Sequence, residues 1–489
     1  IYLDKNNTGT KTTQQQPPQS NLDRYTQRKA KSKQLAAANR AVLADKSSIG
    51  FNFSLEKKGM CYPVVAASAQ GGRLWDIDGN EYIDILMGLG TYLFGHNPPF
   101  IKAAIEQQLQ KGIQIGPQSE LAGATAQLVS ELTGMERVTF SNTGTEAVMT
   151  AVRIARTATG RNKIAVFTNA YHGHFDAALM RAPLSEYARK KAVRAAETKP
   201  WLAPLSWLLK QRINARAVPA AMGIPPAVAT DVIVLEYNNP QSLAVIRSQS
   251  KHLAAVLVEP VQSRCPELQP QAFLNKLRTL TEDLDIALIF DEMVTGFRIA
   301  QGGAQEHFNI AADIATYSKI AGGGLPLSII AGKSRFMDHI DGGQWQFGDH
   351  SAPNIPTTFF AGTFCKHPLS LASAHAALSH RKAEGPSLQA TLTKTTQTLV
   401  KRLNTFTQGA DIPVSFTHFG SFFAIALTKS QLSPLATSLL SYYLLNQGIH
   451  LRGGDKGGFL STTHTSEDIE QIYRAFQTGL LTLKQVGYL

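Results

Sequence analysis

The sequence predicts an α/β protein, with a large central domain on a mostly parallel sheet and a smaller α+β domain built from both chain ends. Three observations carry this. Between about residues 120 and 335, short continuous apolar runs alternate with helical stretches, the pattern of a parallel sheet covered on both faces. A strand–turn–strand signal at 73–85 precedes that stretch, and helices followed by a second mixed segment run from Pro368 to the end. Hydrophobic residues make up 43% of the 489 and charged residues 17%, which excludes a disordered chain.

Residues 1–55 read as a linker and a basic helical segment. Up to about residue 22 the chain is rich in Gln, Thr, Asn and Pro, as in Gln14-Gln15-Gln16-Pro17-Pro18, and 25–44 has Ala-rich helical spacing. It opens on Ile1 where a methionine would stand, the expectation for a piece of a longer protein. Residues 56–118 form the N-terminal part of the small domain, with the hairpin turning at Asp78-Gly79-Asn80. Asp76, Asp78 and Asn80 are spaced as in a calcium loop, but the rest of that pattern is missing, so a turn is expected. The large domain spans 119–365, with strands at 138–140, 164–167, 232–235, 255–258, 287–290 and 314–317, and 366–489 completes the small domain.

The net charge of +12 is localised. Residues 1–55 contribute +6 and residues 181–216 contribute +7, which leaves −1 for the rest. Such segments are either solvated faces or a surface for an acidic partner protein. No apolar run approaches the roughly 18 residues that span a bilayer. Cys61, Cys265 and Cys365 are odd in number and scattered, which argues for a reducing, cytoplasmic compartment; with no signal peptide visible, neither membrane nor nucleic acid is an expected partner.

In an open parallel sheet, ligands sit at the carboxyl ends of the strands. After the strand at 138–140 comes Ser141-Asn142-Thr143-Gly144-Thr145-Glu146, opening a helix whose N-terminal N–H groups suit a phosphate. Ser and Thr caps are ordinary, so this stretch alone does not establish one. Asp291-Glu292 follows the strand at 287–290. Ser318-Lys319 follows the strand at 314–317 and leads into Gly322-Gly323-Gly324. A lysine between a buried strand and a glycine run can be desolvated, which lowers its pKa and makes it nucleophilic. A phosphate cradle, a carboxylate for a pyridine nitrogen and a nucleophilic lysine form the minimum set for pyridoxal 5′-phosphate (PLP), with the pyridoxamine form in the half-reaction. Asp291 and Lys319 are the expected catalytic pair. His172 and His174 lack further ligands for a metal site, and none is expected.

The chain resembles class III aminotransferases of the type I PLP-dependent transferase fold over about residues 56–480, in their glutamate-1-semialdehyde aminomutase branch. The likeness lies in Ser141-Asn142-Thr143-Gly144-Thr145-Glu146-Ala147, Tyr171-His172-Gly173-His174, Val258-Glu259-Pro260, Phe290-Asp291-Glu292-Met293-Val294-Thr295-Gly296-Phe297-Arg298 and Ser318-Lys319-Ile320-Ala321-Gly322-Gly323-Gly324-Leu325-Pro326. The resemblance implies that Tyr171 stacks on the cofactor ring as a third catalytic residue and Met293 packs the other face. It implies cofactor contacts for Thr143, Gly144, Thr145, His172, Asn238, Glu259 and Gln262. Gly362-Thr363 would reach the phosphate of a neighbouring subunit, making the active unit a homodimer. Val65 stands where the aminomutase has an arginine for its substrate carboxylate, and Leu89 where an aromatic is usual, so a more apolar, roomier pocket is expected.

A closer resemblance is to aminotransferase domains embedded in hybrid polyketide–nonribosomal peptide synthetases of the mycosubtilin and microcystin type. It rests on Arg24-Tyr25-Thr26-Gln27-Arg28, Val42-Leu43-Ala44-Asp45, Trp75-Asp76-Ile77-Asp78-Gly79-Asn80-Glu81-Tyr82-Ile83-Asp84 and Phe459-Leu460-Ser461-Thr462-Thr463-His464-Thr465. This likeness implies transfer of an amino group, from a donor such as glutamate or glutamine, to a β-ketoacyl chain on an acyl carrier protein. The acidic carrier would be the partner of the basic insertion. The alternatives are a free-standing aminotransferase or aminomutase for a small molecule, and a non-catalytic basic binding module.

Overall fold

The computed structural model describes residues 19–46, 53–183, 216–426 and 428–489. Most of the expected linker, and all but the ends of the basic insertion at 181–216, lie outside the described residues. Contacts divide the chain into a central unit, Ala104–Gly385, and a terminal unit of Tyr2–Ala103 with Pro386–Leu489. The sequence-based limits at 119 and 365 fall inside the central unit, where helix Pro368–Glu384 packs on helix Leu121–Thr133.

The terminal unit opens with two helices, Gln19–Arg28 and Ala30–Asn39, so helix begins ahead of the expected residue 25. Strands β1 (Ala66–Gln70), β2 (Arg73–Asp76) and β3 (Glu81–Asp84) follow as an antiparallel meander. The carboxylates of the intervening turn are consumed by the fold. Asp76 accepts the N–H groups of Asp78 (3.0 Å) and Asn80 (2.8 Å) and the Tyr82 hydroxyl (2.7 Å). Asp78 accepts the N–H groups of Lys31 (2.6 Å) and Ser32 (3.1 Å), capping helix Ala30–Asn39 from outside that helix. Among the described residues no His/Cys/Asp/Glu cluster could hold a metal.

One basic residue of this segment departs from a solvated face. Lys29 is 0% exposed, one helical turn beyond the buried Tyr25, with Nζ 4.2 Å from the Tyr25 ring centroid. Burial pushes its pKa down to about 8.

The central unit carries β4 (Arg137–Ser141), β5 (Lys163–Phe167), a short antiparallel pair of β6 (Met180–Arg181) and β7 (Val218–Pro219), then β8 (Val232–Leu235), β9 (Leu253–Val258), β10 (Ala287–Asp291), β11 (Ile314–Tyr317) and β12 (Ser328–Gly332). The seven-stranded sheet has the order β4-β12-β11-β10-β9-β5-β8. All six expected strands are present, and β12 is an addition. It runs antiparallel to both neighbours and the other six share one direction. The connection 318–327 is too short for a parallel crossover, so the chain turns back beside β11. Strands β9 to β12 are buried along their whole length. Helix Gly144–Thr159 crosses the sheet face, and Ala147, Ala151 and Ala155, four residues apart and buried, allow its backbone a close approach.

The second half of the terminal unit adds β13 (Phe416–Phe419), β14 (Phe422–Ile425), β15 (Ile449–His450) and β16 (Gly457–Phe459). Pairing of β15 with β3, His450 opposite Asp84, joins the two chain ends in one sheet. Ile472, Phe476, Leu480 and Leu483 form the apolar stripe of helix Ser466–Gln485 and, with Tyr25 and Tyr62, complete that unit's core. No helix among the described residues is long and apolar enough to cross a membrane.

Candidate active site

The shared direction of six strands brings their carboxyl ends to one edge of the central sheet. Ser141, Asp291 and Lys319 stand at or just past the ends of β4, β10 and β11, and Asn238 and Glu259 follow β8 and β9. The β4 end opens helix Gly144–Thr159 through a capping box. Thr143 Oγ1 accepts the Glu146 N–H (3.3 Å), and Glu146 Oε2 accepts the N–H groups of Asn142 (2.8 Å) and Thr143 (3.2 Å). The Gly144 and Thr145 N–H groups, ahead of the first intrahelical bond, face outward at the positive end of the helix dipole. A Cβ on Gly144 would lie 2.9 Å from Met293 Sδ, so the Met293 side chain packs directly on this turn.

The loop after β5 folds onto that helix start. Thr145 Oγ1 accepts the His174 N–H (3.2 Å), and a Cβ on Gly173, at φ +84°, would lie 2.5 Å from the same oxygen. This docking sets His172 against the β10 end. Its Nδ1 is 2.7 Å from Asp291 Oδ2, both side chains are buried, and Asp291 Oδ1 accepts the Met293 N–H (3.1 Å). His172 Nε2 is buried without a hydrogen-bond partner.

Glu259 joins two loops. It accepts the Tyr171 N–H (3.0 Å) on one oxygen and the Ser263 N–H (3.1 Å) on the other, and burial and then the Asp291 charge raise its pKa. The Tyr171 ring is left 49% exposed. Gln262 is buried and donates to the Thr168 carbonyl (2.9 Å), fixing the strand ends of β5 and β9.

Lys319 occupies a left-handed backbone (φ 49°) at the start of a single helical turn, Lys319–Gly322. That conformation costs a branched-Cβ-free residue roughly 1 kcal/mol and is held by the surrounding loop. Ser318 Oγ donates to the Leu327 carbonyl (2.8 Å) and meets Ser328 Oγ (2.9 Å), tying the turn to β12. Burial lowers the Lys319 pKa, the charges of Asp291 and Glu259 raise it, and Arg298 lowers it, with burial the largest effect.

Asp291 and Glu292 have different work, because successive strand residues point to opposite faces. Glu292 turns away and accepts the N–H groups of Ala304 (2.6 Å) and Gln305 (3.1 Å) and the Thr295 hydroxyl (2.9 Å), with burial pushing its pKa up to about 7. Sequence reasoning left Glu292 without a role, though the strand period of two signals one. It also gave no role to Arg264, whose guanidinium lies 5.6 Å from the Tyr171 ring centroid.

Asn238 is exposed in a left-handed turn (φ 58°). Gly362 and Thr363 are exposed, and a Cβ on Gly362 would lie 3.8 Å from Asn142 Nδ2 of the same chain. Val65 and Leu89 belong to the terminal unit.

This donor set fits PLP. Outward N–H groups at a helix start suit a phosphate, a buried carboxylate suits a protonated ring nitrogen, and a desolvated lysine suits an aldehyde. The orphaned His172 Nε2 beside Asp291 marks a place where the protein alone leaves hydrogen bonding unfinished.

A family model described as aminotransferase class-III matches residues 55–477. The chain is 34% identical over 421 residues to a glutamate-1-semialdehyde 2,1-aminomutase of Desulfitobacterium hafniense, covering 83% of this chain and 88% of that one. Its fold is similar to a solved transaminase with PLP bound (TM-score 0.78, 27% identity, 94% of this chain and 99% of that one). It is also similar to an omega-transaminase from Sphaerobacter thermophilus (TM-score 0.77, 27% identity, 93% and 98%).

Proposed function

The chain belongs to the class-III aminotransferase family, in its glutamate-1-semialdehyde aminomutase-like branch, and from that premise we propose which residues carry amino transfer and what accepts the amino group. The enzyme is a PLP-dependent aminotransferase. When bound, the cofactor supplies an electron sink for the bond broken at the amino-bearing carbon and stores the amino group between half-reactions. Lys319 Nζ, whose pKa burial lowers, would hold the resting cofactor and would carry the proton to and from that carbon. Asp291, aimed by His172 and the Met293 N–H, supplies the charge that favours a protonated ring nitrogen. The Gly144 and Thr145 N–H groups and Thr143 bind phosphate, Tyr171 covers one ring face and Met293 the other, and Asn238, Glu259 and Gln262 shape the ring's edge. Gly362-Thr363, flanked by the exposed Phe359 and Phe364, serves a partner subunit in a homodimer. The convergence of Asp291, its buried histidine and Lys319 at adjacent strand ends carries this reading.

For the acceptor, aminomutase relatives support a small carboxylated amino compound or aldehyde. A second reading, a β-ketoacyl thioester on an acyl carrier protein with glutamate or glutamine as donor, is favoured by Val65 and Leu89, which remove the arginine and the ring expected of that branch. Incubation of holoenzyme with glutamate-1-semialdehyde, and separately with a β-ketoacyl carrier protein and each donor, tests both. Isomerised aldehyde supports the first reading, and an aminated carrier by intact mass the second. Turnover of neither substrate sinks both.

A further inference from the structure

Arg264 is the least explained charge beside the site. It follows Ser263 in the loop after β9, and Glu259 binds the Ser263 N–H with one oxygen and the Tyr171 N–H with the other. One buried carboxylate therefore yokes the loop that carries Arg264 to the loop that carries Tyr171. The guanidinium carbon lies 5.6 Å from the Tyr171 ring centroid, and both side chains are solvent-accessible. Among the described residues Arg264 forms no ion pair, and its guanidinium stands over the Tyr171 ring. A guanidinium beside an aromatic ring keeps the fork of N–H donors along its edge, the geometry that takes a carboxylate through two hydrogen bonds.

An amino-acid donor carries a carboxylate next to the carbon that loses its proton, so an enzyme of this kind needs a fixed cation near the cofactor ring. The residue expected for that task from the family likeness is Val65, which cannot supply it. We infer that Arg264 binds the carboxylate of the amino donor, using Tyr171 as the platform that orients it. This rests on the amino-transfer reading above and extends it to donor recognition, whichever acceptor is used.

Glutarate, a dicarboxylate with no amino group, probes the site without turnover. By calorimetry on the holoenzyme, Arg264→Gln is expected to weaken glutarate binding by about 10- to 100-fold, and Arg264→Lys to restore part of the loss, as for a charge-assisted contact. In steady state, the glutamate KM is expected to rise by a similar factor in Arg264→Gln, with kcat changing much less. Cofactor content and melting temperature serve as controls for folding. Equal glutarate affinity in wild type and Arg264→Gln, no glutarate binding by wild type, or a loss confined to kcat overturns the assignment. Failure of the wild type to transfer an amino group from any donor overturns the amino-transfer reading instead, while the glutarate result stands by itself.

Discussion

Two aspartate–histidine clusters, each built on a buried carboxylate and one in each unit, differ in how fully the fold satisfies them. In the terminal unit Asp84 ends β3 and is gripped from both sides, by His450 Nδ1 and His96 Nε2, each at 2.8 Å, and it accepts the Leu86 N–H (2.9 Å). Burial pushes its carboxyl up, but the bonds from His450 and His96 outweigh this and hold it well below the usual range. In the central unit Asp291 has one histidine, and the far nitrogen of that ring is buried with no partner. The first cluster has all its carboxylate contacts within the fold, whereas the second leaves His172 Nε2 buried and unpartnered.

The most severe way to break the comparison is at Lys319, beside Asp291 at the next strand end. Lys319→Ala is expected to fold and to lose at least about 10³-fold in turnover, as for a combined nucleophile and proton carrier. Borohydride treatment of wild-type holoenzyme, followed by peptide mapping, is expected to place the cofactor adduct on Lys319; an adduct on another lysine ends this assignment.

Next in size, Asp291→Asn is expected to cost roughly 10²-fold in rate, the order for loss of a preorganised charge. Asp84→Asn is expected to act on stability, costing about 2 kcal/mol in chemical denaturation because two histidines lose a charged acceptor. If Asp84→Asn slowed turnover as much as Asp291→Asn, the division between finished and unfinished clusters would fail.

The smallest effects are in pH, and their signs are opposite. Asp84 is depressed, so its contribution to stability is present above the ordinary aspartate range of about 4 and is lost as pH falls through the lower folded value. Glu292 is raised to about 7, so its contribution is present below the ordinary glutamate range of about 4 and is lost as pH rises through about 7. Denaturation curves across this range are expected to show the acid-side loss shrinking in Asp84→Asn and the loss between about pH 5 and 7 shrinking in Glu292→Gln. An unchanged slope in either variant contradicts the corresponding shift.

Much of this was legible in the chain. Five of the six expected strands, all but the edge strand β4, read as continuous apolar runs because they are buried nearly throughout, and the order of strands and helices predicted where Thr143, Asp291 and Lys319 would stand. Strand β12 escaped because Ser328-Ile329-Ile330-Ala331 follows a glycine run and a proline without a helix between, which a βαβ rhythm does not anticipate. Lys29 read as surface charge, although Tyr25 four residues earlier shares its helical face and carries it into the terminal core.

The α/β class and the family were thus readable from the sequence, as was the position at strand ends of the lysine and aspartate proposed for the chemistry, since these are written in local order: strand, turn residue, helix start. Tertiary structure decided their partners. His172 reaches Asp291 across 119 residues, Asp78 caps a helix 46 residues away, and Glu259 links loops 88 residues apart. Such contacts depend on which strands lie side by side and on how each turn aims its side chains. Hydrogen bonds act over about 3 Å, so nothing short of the folded sheet specifies them.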